Sequence, residues 1–250
     1  MGAGRADGGG EVNSFGNAFD WLFAPQQWSG PSGIPARVLE HLGYTALAVL
    51  LGLVIAVPIG MVIGHSGKGG FLVGVVNALR AIPELGLLIL LVLLMGIGLL
   101  PVTLALVVLA IPPLLAGTYS GIRNVDRSVV DAARGMGMKE GRILWSVELP
   151  NALPLILGGL RAATLQVLAT ATIAAYVSLG GLGRFVIDGL YLRDFAQTLG
   201  GTIVIAVVAL AIEGLLILLQ RLVVSRGLRR NPTRRRDRKV WPVEVAVETA

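Results

Sequence analysis

The sequence predicts an all-α polytopic membrane protein with about five transmembrane helices, on three observations. Hydrophobic residues make up 54% of the 250 positions and charged residues only 14%, too little polar surface to keep a domain of this size dissolved. A helical crossing of the hydrocarbon core needs about 20 mainly apolar residues, and the stretches 43–63, 71–98, 101–121, 153–178 and 199–222 meet that length. Polar and apolar residues do not alternate within them, which argues against a spanning β-barrel.

Along the chain, residues 1–42 are expected as an extracytoplasmic N-terminal segment. Met1–Glu11 is Gly-rich and lacks the apolar region of a cleavable signal, so the first span is expected to direct insertion. A tight turn, Gly64–Gly70, leads to the second stretch, which is too long for one perpendicular helix and must tilt, kink or start in the interface. The third stretch is followed by a polar loop, 122–152. The fourth ends at Gly180-Gly-Leu-Gly183, after which Arg184–Phe195 reads as a partly inserted outer loop. The fifth closes a membrane domain expected over 43–224, and a basic tail covers 225–250.

Charge sets the expected orientation. Arg221, Arg226, Arg229, Arg230, Arg234, Arg235, Arg236, Arg238 and Lys239 lie at or beyond the end of the fifth span. Arg123, Arg127, Arg134, Lys139 and Arg142 lie in or beside the loop, with Lys68 on the same side. The other side holds only Arg5, Arg37, Arg184 and Arg193. Positive loops stay in the cytoplasm, so a multi-pass cell-membrane protein is expected with the N-terminus outside and the loop and C-terminus inside. The tail could in principle be a nucleic-acid arm. Its place just after a span favours an anchor on anionic membrane lipid, and no nucleic-acid partner is expected.

Within the loop, Val129, Val130, Ala133 and Met136 recur at helical spacing, as do Ile143, Leu144 and Val147. Gly137 between them suits a sharp turn, because glycine adopts positive φ at little cost. Leu149-Pro150 is expected to end the second helix, since a residue before proline resists the α region. With Ala132 and Ala133 facing out and Asp131 offering a carboxylate, the pair would fit a groove on another protein. On periodicity alone an ordinary interfacial loop fits as well.

The spacing goes further. An acidic residue, two alanines, three residues, Gly, nine residues, an aliphatic, any residue and Leu-Pro fall at Asp131, Ala132, Ala133, Gly137, Val147, Leu149 and Pro150. This resembles the EAA loop of binding-protein-dependent ABC importers, with Asp131 where glutamate is usual. Glu40-His-Leu-Gly-Tyr-Thr-Ala-Leu-Ala-Val49, Asn77-Ala-Leu-Arg-Ala-Ile-Pro83, Ile111-Pro-Pro-Leu-Leu115 and Ala169-Thr-Ala-Thr-Ile-Ala-Ala-Tyr176 resemble the permeases for glycine betaine, carnitine, choline and related osmoprotectants. The resemblance covers about residues 38–225. It implies a MetI-like fold whose loop inserts into a separate ABC ATPase subunit. It also implies a second permease subunit, identical or similar, and an extracytoplasmic solute-binding protein. The same machinery with another small solute, such as an amino acid or a sulfonate, is the alternative. A membrane scaffold without transport is a remote one.

No energy source is visible in the chain itself. A phosphate loop around Gly67-Lys68 would need glycine at 62 and Ser or Thr at 69, where Val62 and Gly69 stand. There are no cysteines, and His41 and His65 flank opposite ends of the first span, so no cofactor or metal is expected. No catalytic residue is expected either. Candidates for the solute pathway are Arg80, Pro83, Glu84, Thr170, Thr172 and Tyr176, since ionisable and polar groups within spans default to function. Arg80 and Glu84 can equally neutralise each other as an i, i+4 pair. About half of the threonines in this run, Thr164, Thr170 and Thr172, are expected to bond their own backbone and the rest to line a wet pathway. Arg161 can snorkel, and Glu213 must face the bundle or water. Gly60/Gly64 and Gly117/Gly121 have the spacing of close helix contacts.

Overall fold

Small residues four apart let three long helices meet backbone to backbone, and the rest of the chain wraps around that contact. The computed structural model describes residues 10–177 and 179–224, with side chains from Phe15 onward. The tail 225–250 lies outside the described residues. Every regular element among these is helical: α1 (Gly10–Phe23), α2 (Ile34–Ser66), α3 (Gly70–Ala78), α4 (Glu84–Met95), α5 (Leu99–Arg123), α6 (Arg127–Gly135), α7 (Glu140–Ile143), α8 (Leu149–Ala171), α9 (Gly183–Leu192) and α10 (Phe195–Val223), with short 3-10 and π turns between some of them.

Helix α5 is the centre. Within its most apolar stretch 67% of residues are buried, against 6% for α10. On one side α2 approaches it, where a Cβ at Gly60 would lie 2.8 Å from the Thr118 Cβ and one at Gly64 2.7 Å from the Ile122 Cβ. On the other side Gly117 faces the Gly159 Cα of α8 at 2.8 Å by the same measure, and Gly121 faces the Ala152 carbonyl at 2.9 Å. Both glycine pairs therefore serve packing within the chain. Lipid tails are as apolar as leucine, so such close contact, rather than apolarity, holds membrane helices together.

The first span is longer than the apolar run 43–63. Helix α2 has 33 residues, about 50 Å at 1.5 Å per residue, and so exceeds a hydrocarbon core of about 30 Å. The second stretch is broken: Gly70–Ala81 and Glu84–Met95 meet at 87°. Ile82 takes extended backbone, φ −72° and ψ 128°, as a residue before proline must, and Pro83 then starts a new helix. Four helices, or five spans if the bent pair counts as one, are long and apolar enough to cross a membrane.

Two expectations about the connecting segments change. Residues 1–42 contain α1, whose Trp21 packs edge-on to Phe185 at 5.3 Å between ring centroids and covers Gly200 of α10. Phe15, Phe19 and Phe23 line its exposed side. The outer loop expected at Arg184–Phe195 is mostly helix α9, which buries Phe185 and Ile187 and carries an Arg184–Asp188 ion pair of 3.0 Å.

Candidate functional site

The loop between α5 and α8 is a built unit. Asp126 caps α6, its Oδ1 accepting from the Ser128 N–H and the Ser128 hydroxyl, both at 2.9 Å. Those bonds, the backbone one first, hold the Asp126 carboxyl below its ordinary range. Val125 before the cap and Val130 in the next turn share one small core, a hydrophobic staple. At the other end Gly137 takes φ +79°. Its N–H bonds the Arg134 carbonyl, and the Met138 N–H bonds the Ala133 carbonyl, the glycine-terminated ending that satisfies a helix's last carbonyls.

The recurring positions of the loop divide by role. Ala133 is buried and packs with Ile143 and Val147 beneath α6, while Asp131 and Ala132 are exposed. Only one of the two alanines faces out, contrary to expectation, because residues one apart on a helix cannot share a face. Leu149 packs against Met61 of α2 and Ile122 of α5. Leu149-Pro150 does not end a helix. A π turn over Leu144–Glu148 carries α7 straight into α8, with the Leu149 N–H bonding the Leu144 carbonyl five residues back. Pro150, which has no N–H to give, sits where five-residue bonds change to four-residue ones, and Leu149 before it stays helical at φ −59° and ψ −47°.

Sequence reasoning missed the charges that tie this unit to α2. Glu148 on the π turn is the one buried acidic residue among those described, and His65 Nδ1 lies 2.5 Å from its Oε2. His65 Nε2 lies 3.3 Å from Glu140 Oε2. The Arg134 guanidinium donates to both Glu140 oxygens, at 2.8 and 3.1 Å, and to Asp131 at 3.2 Å. A charged residue in the apolar series Ile143, Leu144 and Val147 was the available signal.

The pathway candidates separate. Thr170 of α8 donates to Glu84 Oε2 at 2.8 Å, which joins two of the six across 86 residues. Glu84 begins α4, where the partial positive charge of a helix start favours a carboxylate. Arg80 is exposed on the far side of the break, and no ion pair of the described residues includes it. The i, i+4 pair fails because Ile82-Pro83 interrupts the helix that would align them. Thr172 bonds the Ala169 carbonyl and Thr164 the Leu160 carbonyl. Tyr176 is 51% exposed on the 3-10 turn Thr172–Val177 that prolongs α8. Arg161 does not merely snorkel: it pairs with Glu213 of α10, the partner that could not be assigned from sequence.

Comparison with known proteins gives this geometry a context. Residues 44–229 match the family described as binding-protein-dependent transport system inner membrane component. A carnitine transport permease protein of Listeria monocytogenes is 38% identical over 175 residues, covering 70% of this chain and 80% of the relative. A choline transport system permease protein of Bacillus subtilis (strain 168) is 33% identical, covering 78% and 90%. A glycine betaine/carnitine/choline transport system permease protein of the same organism is 34% identical, covering 76% and 88%. The MetNI methionine ABC transporter in an inward-facing conformation superposes with a TM-score of 0.70 at 22% identity, over 77% of this chain and 96% of that one. That likeness establishes the MetI-like fold. With a family match over most of its length and relatives this similar, the chain belongs to the binding-protein-dependent transport system inner membrane components, the permease subunits of ABC importers.

Proposed function

We propose that this permease forms part of the path by which a small osmoprotectant, such as glycine betaine, choline, carnitine or proline, enters the cell. The relatives named for carnitine, choline and glycine betaine support the cargo. Its coupling is carried by one observation: a helix pair whose first member, α6, is capped at both ends, that exposes Asp131 and Ala132 and continues without a stop into α8. An ABC ATPase grips that pair around Asp131–Pro150. The positive residues near the loop put it in the cytoplasm, with α1 and α9 outside, where a binding protein delivers solute. A second permease, identical or similar, completes the path. ATP-driven closure of two ATPases draws the two loops together and opens the path outward, and hydrolysis resets it.

Solute passes the break between α3 and α4. Glu84, held by Thr170, offers a carboxylate to the cationic nitrogen that these solutes share, with Pro83, Thr172 and Tyr176 lining the path and Arg80 entering it from the α3 side of the break. Losing one charge-assisted contact there lowers uptake about tenfold in Glu84→Gln, with ATPase association unchanged, as measured by radiolabelled uptake. The function itself is tested in proteoliposomes holding the permease, its ATPase and its binding protein, offered betaine, choline, carnitine, proline and methionine. ATP-dependent uptake of one or more of the first four is expected. Uptake of methionine alone would contradict the cargo, and uptake independent of ATP would contradict the machine.

A further inference from the structure

We propose that His65 is a positioning residue of the transport cycle, carrying motion of the loop directly to α2 through the buried carboxylate of Glu148. The inference rests on the loop being the ATPase dock. Covalently the loop reaches the membrane through α5 and α8 only. The side chains add a second route: Asp131 to Arg134, Arg134 to Glu140, Glu140 to His65 and His65 to Glu148. This chain of contacts begins on the exposed face of α6, passes through His65 in the last turn of α2 and ends at Glu148 on the π turn.

Two features distinguish the link from ordinary surface pairing. Exposed ion pairs contribute little and break readily, and Arg134–Glu140 and Arg134–Asp131 are of that kind. Glu148 is different, its side chain only 2% exposed. A carboxylate buried at this level is costly unless paired and hydrogen-bonded, so Glu148 and His65 must move together or separate at a penalty. The second feature is that both ring nitrogens face carboxylates from different elements, Nδ1 the π turn and Nε2 α7. Nδ1 is in hydrogen-bond contact with the Glu148 carboxylate at 2.5 Å, and Nε2 lies 3.3 Å from the Glu140 carboxylate. The ring therefore clamps the two segments to α2 at a place where apolar packing alone would let them slide. Met61 one turn earlier, against Ile122 and Leu149, supplies contact without direction. The polar clamp supplies register.

The test uses the complete importer in proteoliposomes, reading ATP hydrolysis and glycine betaine uptake together, with choline and carnitine in parallel. His65→Leu is expected to leave ATPase association and hydrolysis in place while solute imported per ATP falls about tenfold, within the range of coupling between distant sites. His65→Asn, whose amide replaces Nδ1 toward Glu148, is expected to restore most of the stoichiometry. If His65→Leu does not accumulate in the membrane, the double variant His65→Leu/Glu148→Leu leaves no unpaired buried carboxylate and is expected to show the same uncoupling. Wild-type stoichiometry in either leucine variant would overturn the proposal, as would parallel loss of hydrolysis and uptake with ATPase binding lost. Failure of the docking reading looks different, because then the unsubstituted permease retains no ATPase.

Discussion

Gly137 shows how much of the loop rests on single backbone positions. Its φ of +79° costs other residues roughly 1–2 kcal/mol, yet a Cβ there would meet nothing within 4 Å. Gly137→Val should therefore alter the turn without a clash, leaving the permease in the membrane. ATP hydrolysis should then be uncoupled from uptake, and unchanged uptake would count against the docking role. Asp126 acts on the same unit from the other end. Its folded carboxyl titrates below the ordinary 3.8, so its cap contributes fully above that value and is lost as pH falls through the lower, folded one. Asp126→Asn keeps a capping oxygen but no charge, and amide exchange in α6 should then lose that acid dependence. The Gly137 turn was legible in the sequence because turning is decided by residues a few positions apart, whereas the equally local Asp126 cap emerged only in the structure. The inward turn of Ala133 was not legible either, since the face buried depends on Ile143 and Val147 arriving from the next element.

Between elements the decisive contacts are far apart in sequence, and there sequence reasoning ran short. Arg161 and Glu213 each stood out as a charge within a span, but nothing local pairs α8 with α10. Leaving either unpaired in the bilayer should destabilise the fold by about 3 kcal/mol. Glu213→Leu alone should therefore unfold more readily in lipid than Arg161→Leu/Glu213→Leu, a difference that thermal unfolding reads. The glycine contacts behave oppositely, because four-residue spacing is visible locally even when the partner helix is not. Gly117→Leu would push α5 off the Gly159 backbone, overpacking that costs about 1–3 kcal/mol and lowers the unfolding temperature. Pro150 shows where a local rule misleads: proline usually stops a helix it enters midway, but a π turn just before it leaves no bond for its missing N–H to break. Helix α1 went unnoticed because a single amphipathic helix in a polar segment gains its stability from α9 and α10, not from its own sequence.

At the scale of the whole molecule, apolar runs and charge bias made the membrane class legible, while the bend between α3 and α4 needed the structure to turn three possibilities into one. The resulting arrangement is asymmetric. One end carries a stapled, capped unit bound to α2, α5 and α8; the other carries α1 and α9; the break with Glu84 and Thr170 lies along the chain between them. An importer needs these parts: a place to receive force, a path to open, and a face for delivery. Because the chain has no cysteines, a single introduced thiol tests the proposed ATPase contact at the loop. In the assembled importer, Ala132→Cys, exposed on α6, should cross-link to the ATPase subunit with a short thiol–amine reagent, while Arg184→Cys on α9 should not. Cross-linking to the ATPase from Arg184→Cys, or none from Ala132→Cys in a complex that still imports, would contradict the account.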